Sequence, residues 1–252
     1  TWFPVNDHPS DKATYDIAVT VPDGLAALSN GVPGPRSSAD GWTTWRWSER
    51  APMASYLTTL VIGDYRVSTA THAGRPMVTA VPAGEPATGP AAVSLARTGA
   101  IADFLANRFG PYPFDSYGGI VVADERIGYA LETQSRPVYG PGFFADGRPN
   151  PTVVAHELAH QWFGDSVSLH RWSDIWLNEG FATYAEWLWE EHDGGRSVQR
   201  QFEAQYATTD WSQPSVDPGR DGMFGNAVYR RGALAVHALR RTVGDAAFFR
   251  IL

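Results

Sequence analysis

The 252-residue chain contains no cysteine. No disulfide framework and no thiolate metal site can form, so any transition metal it holds must be bound by histidine and carboxylate. Lysine is almost absent: Lys12 is the only one, and every other basic side chain is arginine. With a formal charge of −7 and no basic cluster, the chain lacks the phosphate-neutralising surface that non-specific nucleic-acid binding needs. No apolar run reaches the length of a membrane-spanning helix, and no signal-peptide pattern is present. Internal repeats and long low-complexity tracts are missing as well. The chain opens at Thr1 rather than Met and closes inside the apolar run AAFFRIL, a pattern expected of a piece of a longer protein.

What is present supports a packed core. Aliphatic and aromatic residues make up 43% of the chain, with ten tryptophans and ten tyrosines. Residues 1 to about 82 read as β structure. Thr14–Val21 (TYDIAVTV) is rich in β-branched and aromatic residues and stops at Pro22-Asp23-Gly24. WTTWRWSE alternates, placing Trp45 and Trp47 on one face, and SYLTTLVIGDYRVST and RPMVTAVPA follow with turn signals between them. Short strands at this spacing point to a sandwich or saddle-like sheet. A Gly/Pro-rich hinge, Gly84 to Pro90, marks the expected domain boundary, with domains at 1–82 and 83–252. Beyond it the pattern turns mainly helical. AAVSLARTGAIADFLANRFG reads as one helix ended by Gly110-Pro111, and YGGIVVA as a short strand. Further helices are expected over about 151–163, from about 178 to 192, in RSVQRQFEAQYATTDW and in VYRRGALAVHALRRTVG. The fold class is therefore α+β.

The chemistry is concentrated between Thr152 and Trp189. His156-Glu157-Leu158-Ala159-His160 places two imidazoles four residues apart on a helix, about one turn, so both point the same way and can hold one metal ion. Glu157 stands beside the first of them, within reach of an attacking water. This is the H-E-x-x-H arrangement of zinc peptidases. The surrounding VVAHELAHQWF is apolar on most sides, and burying such a polar set without a partner would be costly. Glu179 is the strongest candidate for a third ligand, because it opens a second helix among bulky packing residues. A lone glutamate there would ordinarily serve as a cap or compensate the helix dipole. Glu186 falls two turns further along the same face. It is the candidate acceptor for the outward N–H of one ligand histidine, beside the alternative of a solvated carboxylate. His8, His72, His170, His192 and His237 show no metal-like spacing, and Asp165 and Asp174 suit turn and capping roles.

HELAHQWFGD followed after eighteen residues by Glu179, then NEGFATYAEW, resembles the M1 family of gluzincin zinc metallo-aminopeptidases. The resemblance runs through nearly the whole chain. TWFPVNDHPSDKATYDIAVTVP and MASYLTTLVIGDY are similar to the later part of that family's N-terminal β domain. It implies a partial β-sandwich or saddle domain followed by a thermolysin-like catalytic domain, truncated at its C-terminal end. It implies one zinc ion per chain held by His156, His160 and Glu179, with Glu157 as the general base. Tyr229 matches the family tyrosine that stabilises the oxyanion. Tyr129-Ala130-Leu131-Glu132-Thr133 matches the family's G-x-M-E-N segment and keeps only its glutamate. Glu132 would bind the substrate's α-amine, and the backbone of Ala130 and Leu131 would pair with substrate as an edge strand. The substrates implied are peptides with a free N-terminus. Two alternatives stay open: an endopeptidase of the same zinc class, and a non-catalytic metal-binding fragment. The resemblance favours export over the cytoplasm.

Overall fold

The computed structural model describes residues 2–252 and divides into two compact units. Of these, one comprises residues 2–99 and 113–154, the other residues 100–112 and 155–252.

Alternation and turn chemistry build the first unit. Strand β1 (Lys12–Pro22) lies antiparallel along β5 (Trp42–Ala54), from Lys12 opposite Ala54 to Pro22 opposite Trp42, with a bulge between Ala13 and Tyr15. The short strands β3 (Val32–Pro33) and β4 (Ser37–Ala39) also pair with β5, and β2 (Ala26–Ser29) pairs with β6 (Leu60–Gly63). A hairpin joins β7 (Tyr65–His72) to β8 (Arg75–Pro82). Its two-residue turn has φ values of +47° at Ala73 and +78° at Gly74, the left-handed pair whose twist suits a hairpin. β8 then runs parallel to β9 (Tyr117–Val121), which runs parallel to β11 (Val138–Tyr139). β10 (Ala130–Leu131) closes this five-stranded sheet as an edge strand.

Trp47 lies at the centre of this unit's core, packed with Ala26, Leu28, Val78, Ala80 and Ile120, while Trp45 packs against the same cluster. The Trp47 indole N–H is bonded to Ala27 O at 2.9 Å. The guanidinium of Arg136, itself fully buried, stands 4.5 Å over the Trp47 ring. Burial pushes the nearby Glu49 carboxyl above its ordinary pKa, against hydrogen bonds from Ser135, the Ala51 N–H and Gln134 and the charge of Arg136. Helix α1 (Pro90–Leu95) also belongs here. The units thus divide the chain differently from the sequence boundary at 82/83. Parallel pairing of β8 with β9 keeps residues beyond the Gly/Pro hinge in the first unit.

The second unit is helical. It takes in most of α2 (Thr98–Phe109), the second half of α3 (Pro151–Ala159), and α4 (Trp176–His192). α5 (Val198–Thr208), the single turn α6 (Gly219–Gly222), α7 (Asn226–Val243) and α8 (Asp245–Ile251) complete it. The stretch expected as one helix over AAVSLARTGAIADFLANRF is two, broken at Ala96-Arg97. Gly99, just past the break, is in close approach to the His72 ring: a Cβ there would come within 2.7 Å of Nδ1. α3 is shorter than the periodicity predicts, ending as an α-helix at Ala159. Among the described residues no helix is long and apolar enough to cross a membrane.

Candidate metal centre and active site

Helix α3 is set at its start by local chemistry. Asn150 Oδ1 accepts from the Val153 N–H at 3.2 Å, and Pro151 occupies the first helical position, where a missing N–H costs nothing. From Val153 to Trp162 every residue is buried. His156 and His160 stand on one face, their ring centroids 4.8 Å apart. His160 lies just past the helical end, yet its N–H still reaches His156 O at 3.3 Å, which preserves the one-turn spacing.

Helix α4 brings the carboxylates. Glu179 lies in its first turn and is buried. Its Oε2 is 3.3 Å from His156 Nε2 and 3.3 Å from His160 Nε2. One donor atom from each of the three residues lies within 4.8 Å of the others. Ligand bonds of about 2.0–2.1 Å in a tetrahedral site imply ligand-to-ligand edges of about 3.3–3.4 Å. Both edges from Glu179 match that geometry, so the three donors fit a small tetrahedral divalent ion.

The outward ring nitrogens are fixed as well. Glu186 Oε1 is 2.5 Å from His156 Nδ1, and Phe163 O is 3.0 Å from His160 Nδ1. A carbonyl can only accept, so the bond to Phe163 requires a proton on His160 Nδ1 and leaves Nε2 as the ring atom that faces Glu179. The carboxylate of Glu186 asks the same of His156. Phe163 was not legible as a partner, since a backbone carbonyl leaves no mark in residue type.

Electrostatics agree with the geometry. Burial opposes a charged His156, but hydrogen bonds to Glu179 and Glu186 and the charges of Glu186 and Glu157 outweigh it and hold its pKa well above the ordinary value. Burial likewise opposes the Glu179 anion, yet His160 and His156 hold its pKa down to about 2. Three carboxylates around two imidazoles make a field that calls for a cation. Glu157, buried beside His156, is one of the three.

Tyr229 enters from the first turn of α7, its ring stacked on His156 with centroids 6.0 Å apart and planes 20° from parallel. It packs against the cluster of Leu169, Ile175 and Val228. The relation between α4 and α7 rests on two glycines. A Cβ on Gly232 would meet Gly180 Cα at 2.9 Å, and one on Gly180 would meet Gly232 Cα at 2.8 Å. Backbone therefore touches backbone one residue after Glu179 and three residues after Tyr229.

Glu132, Ala130 and Leu131 belong to the first unit. Ala130 and Leu131 form the edge strand β10, and Glu132 follows it, buried, with Tyr56 Oη donating to its Oε1 at 3.2 Å. Tyr129, where the family motif has glycine, is 58% exposed. Of the other histidines, His237 is bonded to Tyr184 and Gln199, His192 packs on Phe104 and Trp189, and His72 packs on Tyr117. His8 and His170 are exposed. Asp174 sits in the 3-10 turn before α4, and Asp165 is fully buried.

The sequence model of the peptidase family M1 domain matches residues 95–252, and that of the peptidase M1 N-terminal domain matches residues 1–57. The chain belongs to peptidase family M1. It is 31% identical over 252 residues to aminopeptidase N of Canis lupus familiaris, covering 94% of this chain and 24% of that protein. The M1 zinc metallopeptidase of Deinococcus radiodurans superposes with a TM-score of 0.86 at 36% identity, over 99% of this chain and 57% of that one. A variant of that peptidase bound to a Tyr-Ser-Ala substrate gives a TM-score of 0.87 at 36% identity, with the same coverage. The chain thus spans about a quarter of the length of that curated relative and 57% of those solved chains.

Proposed function

We propose that the protein carrying this chain is a zinc-dependent aminopeptidase that releases N-terminal residues from peptides. The observation that carries the reading is the tetrahedral edge geometry of His156, His160 and Glu179, with Glu157 beside it. Zinc, when bound by these three residues, supplies a Lewis acid for the scissile carbonyl and lowers the pKa of water.

The chain's own residues do the rest. Glu157 takes a proton from the water that attacks the scissile carbonyl and passes it to the leaving amine. Tyr229 donates its phenol proton in a hydrogen bond to the developing oxyanion. Glu186 and the Phe163 carbonyl hold the two imidazoles in one tautomer and orientation. Glu132 pairs with the substrate's α-ammonium, while the edge strand of Ala130 and Leu131 takes the peptide backbone in register. The altered motif around Glu132 keeps one rival in view, an endopeptidase with the same centre.

One substrate pair separates them. The full-length protein should hydrolyse an aminoacyl-arylamide and leave its N-acetyl derivative intact, with activity lost to a chelator and restored by zinc. Equal cleavage of the acetylated substrate would exclude the aminopeptidase reading.

A further inference from the structure

We propose that Tyr56 is the positioning residue of the amine site: its hydroxyl holds the Glu132 carboxylate in the one orientation that receives a peptide's free α-ammonium. The inference rests on the reading of Glu132 given above. It begins with the backbone that carries Glu132. Thr133 Oγ1 donates to Arg136 O at 2.6 Å, closing a short turn. Ser135 Oγ accepts from the Gly31 N–H at 2.8 Å. The buried Arg136 guanidinium donates to Ser29 O and, at 2.9 Å, to Gly31 O. The main chain around Glu132 is thus fixed from one side by residues 29–31.

The segment that carries Tyr56 is fixed by the same neighbours. Asn30 Nδ2 donates to Leu57 O at 3.0 Å and to Gln134 O at 2.8 Å, and Asn30 Oδ1 accepts from the Thr59 N–H at 2.8 Å. One buried side chain therefore ties the backbone beside Tyr56 to the backbone two residues past Glu132. Satisfying all of these groups at once leaves little slack, because each lost partner strands a buried polar atom. The two main chains stand in a single register, and the hydroxyl of half-buried Tyr56 meets Glu132 Oε1 at 3.2 Å as part of it.

What this register does not fix is the glutamate side chain, which is long and rotatable. A carboxylate that reads an ammonium by direction must lose that freedom before substrate arrives, or lose affinity when it does. The Tyr56 phenol supplies a directional constraint on Oε1. Hydrogen bonds to a charged acceptor are the strong ones, and this donor comes from a segment that the rest of the network already holds. Tyr56 acts through Glu132, so its loss should appear in the recognition of a free amine and not in the chemical step.

The test uses the full-length, zinc-loaded protein as wild type, Tyr56→Phe, Glu132→Ala and the double variant. KM and kcat are measured on an aminoacyl-arylamide, and calorimetry follows the binding of a free amino-acid amide and its N-acetyl form. Tyr56→Phe is expected to raise KM and the Kd of the free-amine ligand about tenfold, the loss of one charge-assisted hydrogen bond. Its kcat should stay within about twofold by the same argument, since no reacting atom is touched. The double variant should match Glu132→Ala alone. Unchanged KM and Kd in Tyr56→Phe beside raised values in Glu132→Ala would overturn the role of Tyr56 and leave the amine reading standing. Unchanged values in Glu132→Ala would overturn both. A Tyr56→Phe effect that persists in the Glu132→Ala background, or falls on kcat alone, would also overturn the proposal.

Discussion

At the scale of the residue, the centre depends on partners that differ in how visible they are in the sequence. His156, His160 and Glu157 are legible because a helix converts a spacing of four into a shared face. Glu186 is legible by the same periodicity, two turns beyond Glu179. Phe163 and Tyr56 are not, since one acts through a backbone carbonyl and the other meets a glutamate 76 residues away. The 2.5 Å contact of Glu186 with His156 Nδ1 gives a direct expectation. Removing the acceptor frees the ring to rotate and lowers its basicity. Glu186→Ala should therefore weaken zinc binding by about 10- to 100-fold in a competition titration, while the helix content stays intact. Unchanged affinity would contradict the role given to Glu186.

At the scale of the element, α4 and α7 carry Glu179 and Tyr229, and they meet through Gly180 and Gly232. That contact cannot be inferred from periodicity, because a helical glycine signals weakness in the helix rather than closeness to a partner. In Gly232→Ala the new Cβ would meet Gly180 Cα at 2.9 Å and Trp176 O at 3.1 Å, both backbone atoms without a rotamer to yield. The helices must part by several tenths of an ångström. Overpacking of this kind costs about 1–3 kcal/mol. Gly232→Ala is expected to lower Tm by several degrees and to lower kcat as Glu179 and Tyr229 lose register. An unchanged Tm would show that the crossing tolerates a methyl group. The helix ends were less legible than the helices themselves. α3 stops at Ala159, and the break between α1 and α2 lies beside the approach of His72 to Gly99, a tertiary contact that local pattern does not record.

At the scale of the whole molecule, the order of the chain was legible, and the make-up of its two compact units was not. Strand spacing and a Gly/Pro-rich hinge predict β structure followed by helices, and the chain has that order. The parallel pairing of β8 with β9 spans a crossover through α1 and α2, which no short-range signal announces. The first unit accordingly extends to residue 154 by way of that sheet, and α3 crosses from one unit to the other. The chain covers only part of the proteins it resembles, so the proposed activity is tested on the full-length protein. The central claim is that Glu157 moves the proton while His156, His160 and Glu179 hold the metal. The most direct measurement is turnover of an aminoacyl-arylamide by the full-length Glu157→Gln variant, with zinc content determined on the same sample. The account predicts one zinc per chain and a rate reduced by about a thousandfold, within the range expected for loss of a general base. A fully loaded variant that turns over at the wild-type rate would contradict it.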